Sequence, residues 1–170
     1  MILPKLIVTD IDGVWTDGGM YYGSKGEEWK KFNTSDSAGV LFARLNNIEI
    51  AIITGEDSDA VVNRAKKLNV KHVYKGVINK KIALMELCDK LDINLNEICY
   101  IGDDINDILA FNIVGFSACP NDSKEYVKEY CDIVLLKRGG EGVFREFVEY
   151  ILNYHGLLQK TLVMYLDSIK

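Results

Sequence analysis

Apolar positions along this chain come in short unbroken runs rather than in strict alternation, and helix-like stretches separate most of them. The runs are Lys5-Leu6-Ile7-Val8-Thr9, Glu49-Ile50-Ala51-Ile52-Ile53-Thr54, Lys71-His72-Val73-Tyr74, Glu97-Ile98-Cys99-Tyr100-Ile101-Gly102, Gly115-Phe116-Ser117-Ala118-Cys119 and Asp132-Ile133-Val134-Leu135-Leu136. A strand that is apolar on both faces is covered on both faces, as in parallel sheets. Between the runs, Val40, Leu41, Ala43 and Leu45 follow helical spacing, with Asp36-Ser37 at the N-cap and the end near Asn46-Asn47. Further helices are predicted over about 58–68 and 79–91, and another between the last two strands. Strand then helix, repeated, predicts an α/β doubly wound parallel sheet of Rossmann-like type.

Two segments depart from that rhythm. Gly18 to Phe32 holds two short aromatic stretches around a turn of Gly, Ser and Lys, which predicts a β-hairpin at about 19–33. Tyr154 to Lys170 carries Leu157, Leu158, Leu162, Val163, Tyr165, Leu166 and Ile169 and predicts a mostly apolar helix, docked on its own domain or on a neighbouring subunit. No repeat, low-complexity tract or Pro/Gly/Ser-rich linker divides the chain, so residues 1–170 read as a single domain.

Composition fits that reading. With 170 residues, 48% hydrophobic and 26% charged, the chain can bury a real core. No apolar run approaches the roughly 20 residues needed to cross a bilayer, and Met1-Ile2-Leu3-Pro4 lacks the features of a signal peptide, so a cytoplasmic protein with no membrane association is expected. Cys88, Cys99, Cys119 and Cys131 are scattered and read as small core residues of a reducing compartment. A net charge of -5 without a basic cluster argues against nucleic acid as a partner.

The chemistry collects at strand ends. Asp10 and Asp12 follow the first apolar run, Thr54 the second, and Asp103, Asp104 and Asp107 a later one. In a parallel sheet these ends share one edge, where ligands bind at the point of strand-order reversal. Acids placed together there repel one another and lose hydration unless a cation or proton compensates. An all-oxygen set of this kind suits Mg²⁺, which keeps several waters and accepts phosphate oxygens. Taken alone, Asp10-Ile11-Asp12-Gly13 is equally a solvated turn with a helix cap. Thr54-Gly55 offers a hydroxyl and free N–H groups to a phosphate, and Lys80 brings positive charge.

In this order, Asp10-x-Asp12-Gly13-Val14, Thr54-Gly55, Lys80 and Gly102-Asp103-Asp104-x-Asn106-Asp107 resemble the four motifs of the haloacid dehalogenase-like superfamily of phosphatases. A two-component receiver domain also collects acids, a Thr and a Lys, but there the acids gather early, whereas here Thr54 and Lys80 precede Asp103. The resemblance implies that Asp10 attacks phosphorus to give an aspartyl-phosphate. It also implies that Mg²⁺ is held by Asp10, the Asp12 carbonyl and Asp103, and that Thr54 and Lys80 hold the transferring oxygens. Asp12 would protonate the leaving oxygen and then activate water. Asp104 and Asp107 would orient the metal's waters or Lys80, helix capping being the alternative.

The intervals between motifs leave no room for the cap domain that many relatives carry. The chain resembles the capless branch, which forms tetramers through such hairpins so that a neighbouring subunit closes the site, and whose substrates are 2-keto-3-deoxy sugar acid phosphates. In that branch the segment 137–146 reaches the adjacent active site. Here Gly139, Gly140 and Gly142 with Arg138 and Arg145 could wrap an anion, or form a flexible loop capping the next helix. Glu56 after Thr54-Gly55, with Arg64, Lys67 and the run through Thr34, resembles the group acting on nine-carbon sialic-type acid 9-phosphates. A surface ion pair of Glu56 with Arg64 or Lys67 is the competing reading. The alternatives are a KDO-8-phosphate phosphatase and, in another class, a non-catalytic oligomerisation domain like that fused to acylneuraminate cytidylyltransferases.

Overall fold

A computed structural model describes residues 1–170. The elements in chain order are β1 (Leu6–Thr9), β2 (Tyr21–Tyr22), β3 (Glu28–Trp29), α1 (Asp36–Leu45), β4 (Glu49–Ile53), α2 (Asp59–Lys67), β5 (His72–Tyr74), α3 (Lys80–Leu91), β6 (Ile98–Ile101), α4 (Ile108–Phe111), β7 (Phe116–Cys119), α5 (Glu125–Lys128), β8 (Ile133–Val134), α6 (Val143–Tyr154) and α7 (Leu158–Ser168). Six strands form one parallel sheet in the order β5-β4-β1-β6-β7-β8. The chain winds outward from β1 through β4 to β5, then returns to place β6 on the other side of β1. The reversal therefore lies at β1, with Val8 in register with both Ala51 and Tyr100.

The central strands β1, β4 and β6 are largely apolar because each serves two cores. Successive side chains of β1 point to opposite faces, so Ile7 packs with Ile52, Phe144 and Phe147, while Leu6 and Val8 pack with Ala51, Leu84 and Tyr100. All four residues of β1 are buried, and burying an aliphatic side chain of this size stabilises the fold by about 1.5–3 kcal/mol. Helix α6 presents Val143, Phe144, Phe147, Val148, Ile151 and Leu152 to the first core, a stripe at helical spacing.

The hairpin forms as β2 and β3, two residues each, with Tyr22 and Trp29 exposed. Only this hairpin, α1 and β4 fill the interval between Asp12 and Thr54, and only α2 and β5 that between Thr54 and Lys80, so the fold has no cap. The helix between the last two strands is a single turn, Glu125–Lys128. Helix α7 docks on its own chain: Leu157, Leu158 and Leu162 pack on the core, and the buried Thr161 hydroxyl accepts from Asn46 Nδ2 at 2.8 Å. No helix is long and apolar enough to cross a membrane.

Asp36 corrects an expectation. It is not the N-cap of α1, a place taken by Ser35; it lies in the first turn, fully buried. Its Oδ1 accepts from the main-chain N–H of Arg145 at 3.1 Å, tying α1 to α6.

Candidate active site

At the end of β1 the Asp10 N–H donates to Ile101 O at 2.9 Å, so the first acid continues the ladder to β6 before the chain leaves the sheet. A tight turn follows, in which the N–H groups of Val14, Trp15 and Thr16 converge on Ile11 O. Trp15 locks it by donating to Thr9 Oγ1 at 2.9 Å and packing on Phe144. Gly13 sits in this turn at φ +80, and a Cβ there would fall 1.9 Å from Asp103 Oδ2. Only glycine lets the carboxylate from β6 lie against the β1 turn.

Lys80, the first residue of α3, is buried and bridges two acids: Asp10 Oδ2 at 2.7 Å and Asp107 Oδ1 at 2.7 Å. Asp107 is wholly buried and saturated. It also accepts from Tyr100 Oη at 2.6 Å, and from the N–H groups of Asp103 and Asp104 at 3.0 and 3.2 Å. Asp107 thus orients Lys80, one of the two roles expected for it. Asp104 is exposed and accepts from the N–H of Ile105 at 2.8 Å, the capping role. Tyr100 was not anticipated; a phenol inside the apolar run Ile98-Cys99-Tyr100-Ile101 was the signal, since a buried hydroxyl needs a partner.

The carboxylates of Asp10, Asp103 and Asp107 converge, with one oxygen of each within 4.8 Å of the others. Asp10 Oδ1 and Asp103 Oδ1 are buried with no hydrogen-bond partner. Burial first, then the neighbouring acids, push Asp10 up to about 7 and Asp103 up to about 8, against the opposing charge of Lys80. Burial alone would lower the Lys80 ammonium, but Asp10 and Asp107 raise it. Two unpartnered oxygens that resist ionisation are what a divalent cation with oxygen preference compensates, so Asp10 and Asp103 fit Mg²⁺.

Asp12 faces the same cleft but is held from outside the four motifs. Both its carboxylate oxygens accept from Lys30 Nζ, at 2.8 and 2.9 Å, and Thr16 Oγ1 donates at 3.2 Å. Lys30 follows β3 of the hairpin, with a fully buried side chain that also reaches Glu28 at 3.4 Å. Burial would lower this ammonium, but Asp12 and Glu28 raise it. Period-two alternation, placing Glu28 and Lys30 on one side of the hairpin strand, was the available clue.

A cleft of about 500 Å³ opens over these groups, lined by Asp10, Asp12, Thr54, Gly55, Glu56 and Asp103, and also by Asn106 and Lys124. The structure does not bring the remaining expected substrate residues there. Arg64 donates to Asn33 O and Ser37 Oγ at 3.0 and 3.1 Å and stacks on Phe32. Lys67 is exposed at the end of α2. The Thr34 carbonyl accepts from the Ser37 N–H at the start of α1. Within the chain Glu56 pairs with neither Arg64 nor Lys67, and Thr34, Arg64 and Lys67 do not line the cleft that holds Glu56.

The glycine-rich loop also differs. Gly139 N donates to Asp122 Oδ1 at 2.9 Å, and a Cβ on Gly139 would lie 2.1 Å from Gly13 O. Gly140, at φ +74, donates to Val14 O at 3.0 Å and accepts from Asn33 Nδ2 at 2.9 Å. Gly142, at φ +84, is the N-cap of α6. Arg138 pairs with Asp122 at 3.3 Å, and Arg145 pairs with Glu149 at 2.7 Å over the Phe42 ring. Within the chain, Gly139 and Gly140 approach the backbone of Gly13, Thr16 and Asp17 too closely for a side chain.

Comparison with known proteins places this geometry. Residues 43–147 match the model of the haloacid dehalogenase-like hydrolases. The 3-deoxy-D-manno-octulosonate 8-phosphate phosphatase of Salmonella typhi is 38% identical over 156 residues, covering 92% of this chain and 83% of that protein. The crystal structure of the corresponding phosphatase from Moraxella catarrhalis, in complex with magnesium, phosphate and KDO, is 35% identical and superposes with a TM-score of 0.92, covering 95% and 93% of the two chains. The cobalt-bound form of the Haemophilus influenzae phosphatase is 35% identical, with a TM-score of 0.88 and 91% coverage of each chain.

Proposed function

We propose, for a chain that belongs to the haloacid dehalogenase-like hydrolases and is a phosphatase of that family, that it hydrolyses 3-deoxy-D-manno-octulosonate (KDO) 8-phosphate with Mg²⁺. The observation that carries the reading is the pair of buried, unpartnered oxygens of Asp10 and Asp103 beside Lys80. Magnesium, held by Asp10, Asp103 and the Asp12 carbonyl, supplies charge neutralisation for an anionic substrate meeting an anionic nucleophile.

The protein's own groups do the rest. The carboxylate of Asp10 attacks phosphorus while Lys80 and Thr54 hold the phosphoryl oxygens, so alignment and charge carry the catalysis. Asp107 and Tyr100 fix Lys80 in place. Asp12 gives a proton to the departing sugar oxygen, and as a carboxylate it then takes one from the water that hydrolyses the aspartyl-phosphate. Lys30 sets the direction in which Asp12 points.

The eight-carbon substrate replaces the nine-carbon one argued from Glu56, Arg64 and Lys67. The relatives are named for the eight-carbon acid, and neither cation stands beside Glu56. A cleft open to solvent beside an aromatic hairpin supports a homotetramer in which a neighbouring subunit covers the site. A purely scaffolding domain would have no need of the Lys80–Asp10–Asp107 bridge.

The test is kcat/KM for KDO 8-phosphate against N-acetylneuraminate 9-phosphate, with Mg²⁺ and with EDTA. A preference for the eight-carbon acid, lost with EDTA and in Asp10→Asn, is expected. Turnover surviving in Asp10→Asn, or a reversed preference, would reject the reading.

A further inference from the structure

Five acids line the cleft, Asp10, Asp12, Glu56, Asp103 and Asp104, against a single cation, Lys124. The other lysines near it are committed: Lys80 to Asp10 and Asp107, Lys30 to Asp12 and Glu28. The two arginines of the glycine-rich segment are paired with Asp122 and Glu149 and do not line the cleft. A sugar acid phosphate is negative at both ends. Its phosphate has Thr54, Lys80 and the metal, but its carboxylate, entering an acidic cleft, needs positive charge that nothing among the four motifs can spare.

Topology puts Lys124 where that charge is needed. Asp10 leaves β1, Thr54 leaves β4 and Asp103 leaves β6; Lys124 follows β7, the next strand outward along the same edge. The segment between β7 and Lys124 is anchored. Asn121 N donates to Lys137 O at 3.0 Å, and Asp122 accepts from Gly139 N at 2.9 Å, the residue that packs on Gly13. A rigid backbone thus carries an exposed, unpaired ammonium to the rim of the cleft, one strand away from Asp103.

Resting on the proposed function, we infer that Lys124 binds the substrate's carboxylate and selects sugar acid phosphates over phosphates that lack one. Asn106, on the same rim, supplies an amide for the adjoining oxygens. The test compares KDO 8-phosphate, arabinose 5-phosphate (a sugar phosphate without a carboxylate) and p-nitrophenyl phosphate in the wild type, Lys124→Ala and Lys124→Arg. Lys124→Ala should raise KM for KDO 8-phosphate about tenfold or more, the size of a lost charge-assisted contact, with kcat within about twofold. It should leave kcat/KM for the other two unchanged, and Lys124→Arg should recover most of the loss. An equal loss on all three substrates would mean that Lys124 serves the phosphate, and unchanged KM for KDO 8-phosphate would mean that it serves neither; each overturns the inference. A wild type that turns over arabinose 5-phosphate as well as it does KDO 8-phosphate would instead overturn the proposed function.

Discussion

Lys30 and Asp12, eighteen residues apart, meet in a two-oxygen ion pair of 2.8 and 2.9 Å that ties the hairpin to the loop following Asp10. The ammonium is buried on the hairpin side, while the carboxylate keeps one face to the cleft. The pair holds the Asp12 carboxylate at a fixed bearing without removing it from solvent.

Lys30→Met keeps most of the side chain's length and removes the charge. It should lower kcat about tenfold or more, because a misaimed acid–base group forfeits much of a contribution typically worth 10²–10⁴. Steady-state kinetics with KDO 8-phosphate reads this directly. An unchanged kcat would show that the pair merely staples the hairpin.

Asp10 and Asp103 should bind Mg²⁺ in the absence of substrate. Thermal melting with millimolar Mg²⁺ should rise for the wild type, as binding to the folded state alone requires. In Asp103→Asn the rise should vanish, because one of the two unpartnered oxygens is replaced or neutralised.

Asp36 makes stability depend on pH away from the site. Burial raises its carboxyl to about 6, against the opposing Arg145 N–H and the charges of Arg64, Lys137 and Arg145. An acid whose folded value is raised contributes most below its unfolded value near 4, and the contribution is lost as pH rises through 6. Asp36→Asn should therefore gain about 2 kcal/mol on the wild type between pH 4.5 and 7.5. Urea unfolding at the two pH values measures the swing; a constant difference would mean that the carboxyl titrates normally.

Gly139→Ala should cost about 2 kcal/mol or more, because the new methyl would meet the Gly13 carbonyl at 2.1 Å and backbone must move. Since Gly13 lies against Asp103, the same change should also weaken Mg²⁺ binding in a titration.

Trp29→Glu on the exposed hairpin should shift the protein to smaller species in light scattering if the tetramer forms there, since a charge in an apolar contact is strongly unfavourable. An unaltered mass would place the subunit contact elsewhere.

The sheet and the acids at its edge were legible because both are local patterns. An apolar run buried on two faces reads as a parallel strand, and a polar residue just past it reads as a site. Partners distant in the chain were not legible. Asp36 looked like a cap because its acceptor role is fulfilled by Arg145, 109 residues on. Gly139 and Gly140 looked like an anion loop because nothing local reveals the Gly13–Asp17 backbone behind them. Lys30 lay in a segment read for its aromatic residues, and its tie to Asp12 depends on how the hairpin folds back.

The winding order of the sheet also governs when the pocket comes into being. Asp10 leaves the ribosome early on the central strand, but Asp103 and Asp107 join it only after two crossovers have been laid down on the far side. A nascent chain cut short before β6 carries Asp10 without Asp103, and without Asp107 and Tyr100, the groups that hold Lys80 in place. A chain truncated before β6 is therefore expected to show no Mg²⁺-dependent turnover.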